Sequence, residues 1–231
     1  MSKLVQRLLI FFIGIPAVLA IVLFDKFNHI LLHITLLVVI SIALGELYNI
    51  LKTKGNLPPK IFLLVLSILH VLMSYLCILL KLSFEHVYMF FVISCLLIFS
   101  KEVILPTEKG NNNFEKSIYS IISGIFVIFY IGLLPTFISR LAFYENSVWY
   151  ISLYFVMTFI CDSFAWLFGM LFGKGNRGLI KVSPNKSIVG FIGGIFGSIL
   201  IALLTQHFFP QILPGHFYKA IILGFVVSIF A

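Results

Sequence analysis

Eight times along its 231 residues the sequence runs apolar for about the length of a membrane-crossing helix, and each run gives way to a short polar cluster. A helix rises about 1.5 Å per residue, so roughly 20 apolar residues cross a hydrocarbon core of ~30 Å. Inside that core each backbone N–H and C=O must be paired within the protein, which leaves helices or closed barrels. Long runs without alternation specify helices. The expected spans are 8–24, 30–51, 61–80, 87–100, 118–139, 148–172, 188–206 and 219–231, the fourth short and the eighth cut off by the last residue. The chain is therefore read as all-α, a polytopic integral membrane protein with about eight transmembrane helices.

Composition agrees, with 61% hydrophobic and only 10% charged residues. A soluble domain carries about 25% charged residues, so this surface must face lipid, and a cytosolic enzyme is excluded. The net charge of +8 is no nucleic-acid footprint, because the basic residues fall between the apolar runs. Counted gap by gap they alternate: Lys3 and Arg7; Lys26; Lys52, Lys54 and Lys60; Lys81; Lys101, Lys109 and Lys116; Arg140; Lys174, Arg177, Lys181 and Lys186; Lys219. Cytoplasmic loops hold the positive excess, so the N-terminus is expected on the cytoplasmic side of the cell's inner (cytoplasmic) membrane, which the chain is expected to cross many times. The first 24 residues lack an A-x-A cleavage site and read as a retained span. Residues 1–231 are expected to form a single transmembrane domain, with parts of about 1–117 and 118–231. The polar gaps 52–60 and 101–117 read as solvated turns. Cys77, Cys95 and Cys161 sit in apolar runs without a C-x-x-C pair and read as reduced core residues.

Polar groups inside spans are the informative minority. Asp162 lies about ten residues, roughly 15 Å, before the loop that follows its span. An ionised group there costs about 2.5–3.5 kcal/mol on insertion scales. Its face continues through Ala165, Gly169 and Gly173. Two readings stand: a close-packed helix seam containing one satisfied acid, or a carboxylate facing a polar cavity entered from the cytoplasm. The next span opens S-I-V-G-F-I-G-G-I-F-G-S, with glycines at 190, 193, 194 and 197, a second close-contact helix serving either a homodimer or the protomer's own core.

Between these helices lies the most basic loop, G-K-G-N-R-G-L-I-K-V-S-P-N-K-S. Lys174, Arg177, Lys181 and Lys186 bring four positive charges, and Ser183 and Ser187 bring hydroxyls to the entrance of a helix, where unpaired N–H groups favour anions. The loop is equipped to receive phosphate; the plainer alternative is positive-inside charge touching anionic lipid heads. There is no G-x-x-x-x-G-K-[ST] loop. His70 is a lone mid-span histidine that bonds across helices, and His29, His33, His207 and His216 fall near the outer face. Trp149 and Tyr150 read as an interfacial belt.

Residues 161–194 resemble the phosphatidate cytidylyltransferases, or CDP-diacylglycerol synthases. C-D-S-F-A-W-L-F-G-M-L-F-G-K and K-V-S-P-N-K-S-I-V-G-F-I-G-G are similar to that family's D-x-x-A-[YW]-x-x-G-x-x-x-G-K and S-P-x-K-[TS]-x-E-G-x-x-G-G, with weaker likenesses at Q-R-L-L-I, at G-E-L (45–47) and at Y-I-G-L (130–133). Val189 stands where the pattern has Glu. The family's S-x-x-K-R-x(4)-K-D and H-G-G-x-x-D-R-x-D would follow the last span, so the part from about 118, catalytic in type, is expected to be C-terminally incomplete. The resemblance implies an enzyme that makes CDP-diacylglycerol and pyrophosphate from CTP and phosphatidate, using Mg2+ or another divalent cation. Asp162 and Lys186 would be catalytic, with Asp162 the candidate metal ligand. Lys174, Arg177, Lys181, Ser183 and Ser187 would bind substrate. Glu46 is a second candidate carboxylate, set against an interfacial role. The competing expectations are a small secondary transporter or flippase, for which an intramembrane acid and glycine-rich helices are equally natural, and a truncated, inactive cytidylyltransferase.

Overall fold

The computed structural model describes residues 10–106, 113–175 and 186–230. Among these every regular element is helical. A π-helical turn, Ile10–Gly14, leads into α1 (Ile15–Leu23). There follow α2 (Lys26–Lys52), α3 (Lys60–Leu79), α4 (Glu85–Ile104) and α5 (Asn113–Val127). A π-helical stretch, Ile128–Leu133, joins α5 to α6 (Thr136–Leu141). The chain continues through α7 (Ser147–Phe172), α8 (Ile188–Phe208) and α9 (Phe217–Phe230). Six helices are long and apolar enough to cross a membrane: Lys26–Lys52, Lys60–Leu79, Glu85–Ile104, Glu115–Leu141, Ser147–Phe172 and Ile188–Phe208. The first and eighth expected spans are the shorter apolar helices Phe12–Leu23 and Phe217–Phe230. The protein is a multi-pass, all-α membrane protein.

The chain forms two compact units, one of residues 24–145 and one of 1–23 with 146–231. In the first, Leu36, Ile40 and Leu44 make one inward stripe of α2 and meet Leu63, Leu66 and Val71 of α3, Ile98 of α4, and Val127, Ile128 and Ile131. The intervening Ile34, Val38 and Ile42 are exposed, as lipid-facing positions should be. Right-handed geometry begins in α2 only after Phe27, Asn28 and His29, whose φ values are 52, 55 and 59°. The left-handed region costs a non-glycine residue roughly 1–2 kcal/mol. The turn is tied down by the Tyr75 hydroxyl, which donates to the Phe27 carbonyl at 2.8 Å, and by the Tyr75 ring packing on His33, 4.6 Å between centroids.

The fifth expected span is one apolar run in sequence, yet its helix breaks. Gly132 is pressed so closely on α3 that a Cβ there would lie 3.2 Å from His70 Nδ1 and 3.3 Å from the Ser67 Cα. Pro135 then starts a new helix. His70 is fully buried, and the carbonyl its Nδ1 bonds is Leu66, of its own helix, rather than a neighbour's as expected. His29 and His33 are buried as well.

The 101–117 gap differs most from expectation. Lys101–Ile104 completes α4, lengthening the expected short span, and Glu102 is buried at 4% exposure instead of solvated. The Ser117 hydroxyl donates to Glu102 Oε1 at 3.2 Å, the Ser120 hydroxyl to Oε2 at 3.1 Å, and Lys101 Nζ approaches Oε2 at 3.1 Å. A carboxylate can be buried where such partners replace water. Glu102→Leu removes the carboxylate that these two hydroxyls and the ammonium approach. It is expected to destabilise by about 1.5–3 kcal/mol and more than Glu102→Gln, read as a lower thermal midpoint of purified protein in detergent; equal midpoints for both variants and the parent would refute this account.

Candidate active site

The second unit is built on the hairpin of α7 and α8, whose backbones touch because small residues line both faces. A Cβ on Gly190 would lie 2.6 Å from the Ala165 carbonyl oxygen, and one on Gly194 would lie 3.0 Å from Cys161 Sγ and 3.1 Å from its carbonyl. Further along, the Ser198 hydroxyl donates to the Met157 carbonyl at 3.3 Å. As the number falls on α7 it rises on α8, so the helices run antiparallel. The glycine faces of 169, 173, 190, 193, 194 and 197 are thus spent within the chain.

Ser187 closes the mouth of this hairpin. It is extended (φ −103°, ψ 150°) and caps α8, its Oγ accepting from the Gly190 N–H at 3.1 Å. A Cβ on Gly173, at the end of α7, would fall 2.7 Å from that same Oγ, and one on Gly169 3.0 Å. Ser187 is buried at 5% exposure. Its hydroxyl oxygen, expected to bind substrate, serves as a helix cap against α7. Lys186, one residue earlier, is exposed, and so is Lys174 just past the end of α7. Arg177, Lys181 and Ser183 lie outside the described residues.

Asp162 is exposed, beside the seam rather than in it. The contacting residue of that turn is Cys161, with Ala165 next. The two alternatives for the stripe therefore separate: the small residues are a packing seam, while the acid stands apart, with no hydrogen bond or ion pair among the described residues. The Cys161 thiol feels the charges of both the Asp162 carboxylate and the Lys186 ammonium. Cys161 is a buried free thiol, as its place in an apolar run suggested, and its spacing of four from Ala165 puts it on the seam.

Asp162 is the sole carboxylate in residues 1–23 and 146–231. Among the described residues no group of three or more His, Cys, Asp or Glu side chains is placed to hold a metal. The donor set fits one ligand position of a single magnesium ion, which commonly takes one or two carboxylates and completes its shell with phosphate and water oxygens. Among the described residues this unit offers one carboxylate, fewer than a two-metal centre takes. Glu46 belongs to the other unit, where it is exposed on α2; the neighbouring Gly45 is overlain by the Lys60 ammonium, 3.4 Å from where its Cβ would be.

Residues 5–231 match the family model described as the cytidylyltransferase family. The chain belongs to that family. The phosphatidate cytidylyltransferase of Staphylococcus epidermidis is 42% identical over 69 residues, which is 29% of this chain and 26% of that protein. The phosphatidate cytidylyltransferase of Chlamydia trachomatis serovar D is 40% identical over 65 residues, 28% of this chain and 21% of that one; the one from Staphylococcus aureus is 39% identical over 69 residues, 29% and 26%. The alignments thus span about a quarter of the length of these curated relatives. No solved structure matches the chain.

Proposed function

We propose that the protein transfers a cytidylyl group from CTP to phosphatidate at the cytoplasmic face of the inner membrane, giving CDP-diacylglycerol and pyrophosphate. In this reading a phosphatidate phosphate oxygen bonds to the α-phosphorus of CTP as the bond to the bridging oxygen breaks and pyrophosphate leaves with the electron pair. The reaction brings two polyanions together, so the protein's task is to gather positive charge where negative charge builds up. Lys186 and Lys174 flank the hairpin mouth and neutralise phosphate; Arg177, Lys181 and Ser183 of the same loop join them. Asp162 would hold a divalent ion, which when bound screens the phosphate oxygens. Ser187 positions Lys186 by fixing the first turn of α8.

The observation that carries this reading is Asp162 itself: a carboxylate in the membrane-spanning part of α7, exposed, and unused by the packing seam beside it. Family membership supports nucleotidyl transfer over transport. The test is incubation of the purified protein with radiolabelled CTP, phosphatidate and magnesium, with lipid-extractable label as readout. CTP- and phosphatidate-dependent product is expected. Ion-coupled solute uptake into proteoliposomes, with no labelled lipid, would replace the enzyme by a carrier.

A further inference from the structure

Within the second unit the start of the chain does not close against α7. Ile15 and Pro16 face Val156, Phe159 and Ser163 across an open-sided groove of about 290 Å3. Pro16, which has no N–H to give, sits where the π-helical turn passes into α1. The only hydroxyl in the wall, Ser163 Oγ, donates to the Phe159 carbonyl at 2.7 Å, so no free donor faces the groove. The lining is almost wholly apolar, which suits a hydrocarbon. Its volume is at the lower limit of small-molecule sites, roughly 300–1,000 Å3, which suits one acyl chain and not a whole two-tailed lipid. From Val156 to Ser163 the wall follows α7 for about 10 Å. It ends beside Asp162, the residue before Ser163, one position from the Cys161 thiol that the Lys186 charge reaches.

We propose that this groove receives one acyl chain of the anionic lipid substrate and sets its chain preference, directing the phosphate head toward the Asp162 and Lys186 end. The proposal rests on the assignment of that end as a phosphatidate site. Its chemistry is apolar burial of the tail combined with charge complementarity at the head.

Two readouts separate this proposal from the enzymatic one. The first needs no turnover: a phosphatidate with a photoreactive diazirine near the tail is bound to the full chain in nanodiscs without CTP, and labelled peptides are mapped. Label is expected to concentrate around residues 15–16 and 156–163, to be displaced by unlabelled phosphatidate but not by phosphatidylcholine, and to fall in Ile15→Trp, which fills the groove from α1. Label spread evenly over the lipid-facing helices, or displaced equally by phosphatidylcholine, identifies ordinary annular lipid and overturns the proposal. The second readout is kinetic. Ile15→Trp and Val156→Phe, neither of which lies on the α7–α8 seam, are expected to raise KM for dioleoyl phosphatidate about ten-fold, as changes in an apolar pocket do, while leaving KM for dihexanoyl phosphatidate and for CTP within two-fold. An equal effect on both lipids, or none, overturns it. If the parent protein forms no product, the enzymatic assignment falls and the labelling pattern still decides the groove.

Discussion

Gly190→Leu is expected to open the α7–α8 hairpin. Any Cβ at this position would lie 2.6 Å from the Ala165 carbonyl oxygen, a backbone atom that cannot swing aside as a side chain does, so the helices themselves must move apart. Overpacking of this kind costs about 1–3 kcal/mol, and the rest of the seam loosens with it: the Ser198 bond to Met157 and the contact between Cys161 and Gly194. The thermal midpoint should drop, and Cys161, buried in the parent, should become reactive to maleimide. Gly175→Leu is the control, since a Cβ there meets nothing within 4 Å. Equal midpoints and equal thiol protection in the two variants would show that the backbone approach is not what holds this unit together.

The second large effect is on activity without stability. Lys186→Gln and Asp162→Asn are each expected to lower CTP-dependent product formation by about 10²–10³-fold, the usual loss when one charge-stabilising group is removed from a reacting centre. Both side chains are exposed and neither lies on the seam, so the thermal midpoints should stay within a degree or two of the parent. Activity within a few-fold of the parent in either variant would remove that residue from the site. Cysteines placed at 174 and 186 give an independent check: labelling by an impermeant reagent from outside the cell, and not from within, would place the basic end on the wrong face for CTP.

The helices were legible in the sequence because the bilayer makes a simple demand, an apolar stretch of sufficient length, and a chain of this composition meets it openly. Breaks inside a span were not. Nothing in the apolar run around Gly132 announces that Ser67 and His70 of another helix will press against it. Glu102 was hidden for the same reason: its partners Ser117 and Ser120 are distant in sequence and reach it only when α5 packs against α4. At the site, the close-contact stripes were readable from their spacing of three and four, since small residues at that interval are needed wherever helix backbones touch. Which side of the stripe Asp162 would take was not, because residues 161 and 162 both stand within one turn of Ala165, and only the approach of Gly194 selects Cys161. Ser187 was read as a phosphate donor on its position at a helix entrance. That position was right, and there the oxygen also accepts the Gly190 N–H as a helix cap.

The tie between Gly173 and Ser187 also bears on how such a protein can diversify. The residues on either side of the basic segment, Gly173 and Ser187, are clamped to each other at the hairpin mouth. Lengthening a tether whose ends are already held together costs little, about 0.6 kcal/mol for each doubling. Insertions between residues 175 and 186 should therefore leave α7 and α8 undisturbed, so this stretch of sequence can vary in length while the hairpin stays constant.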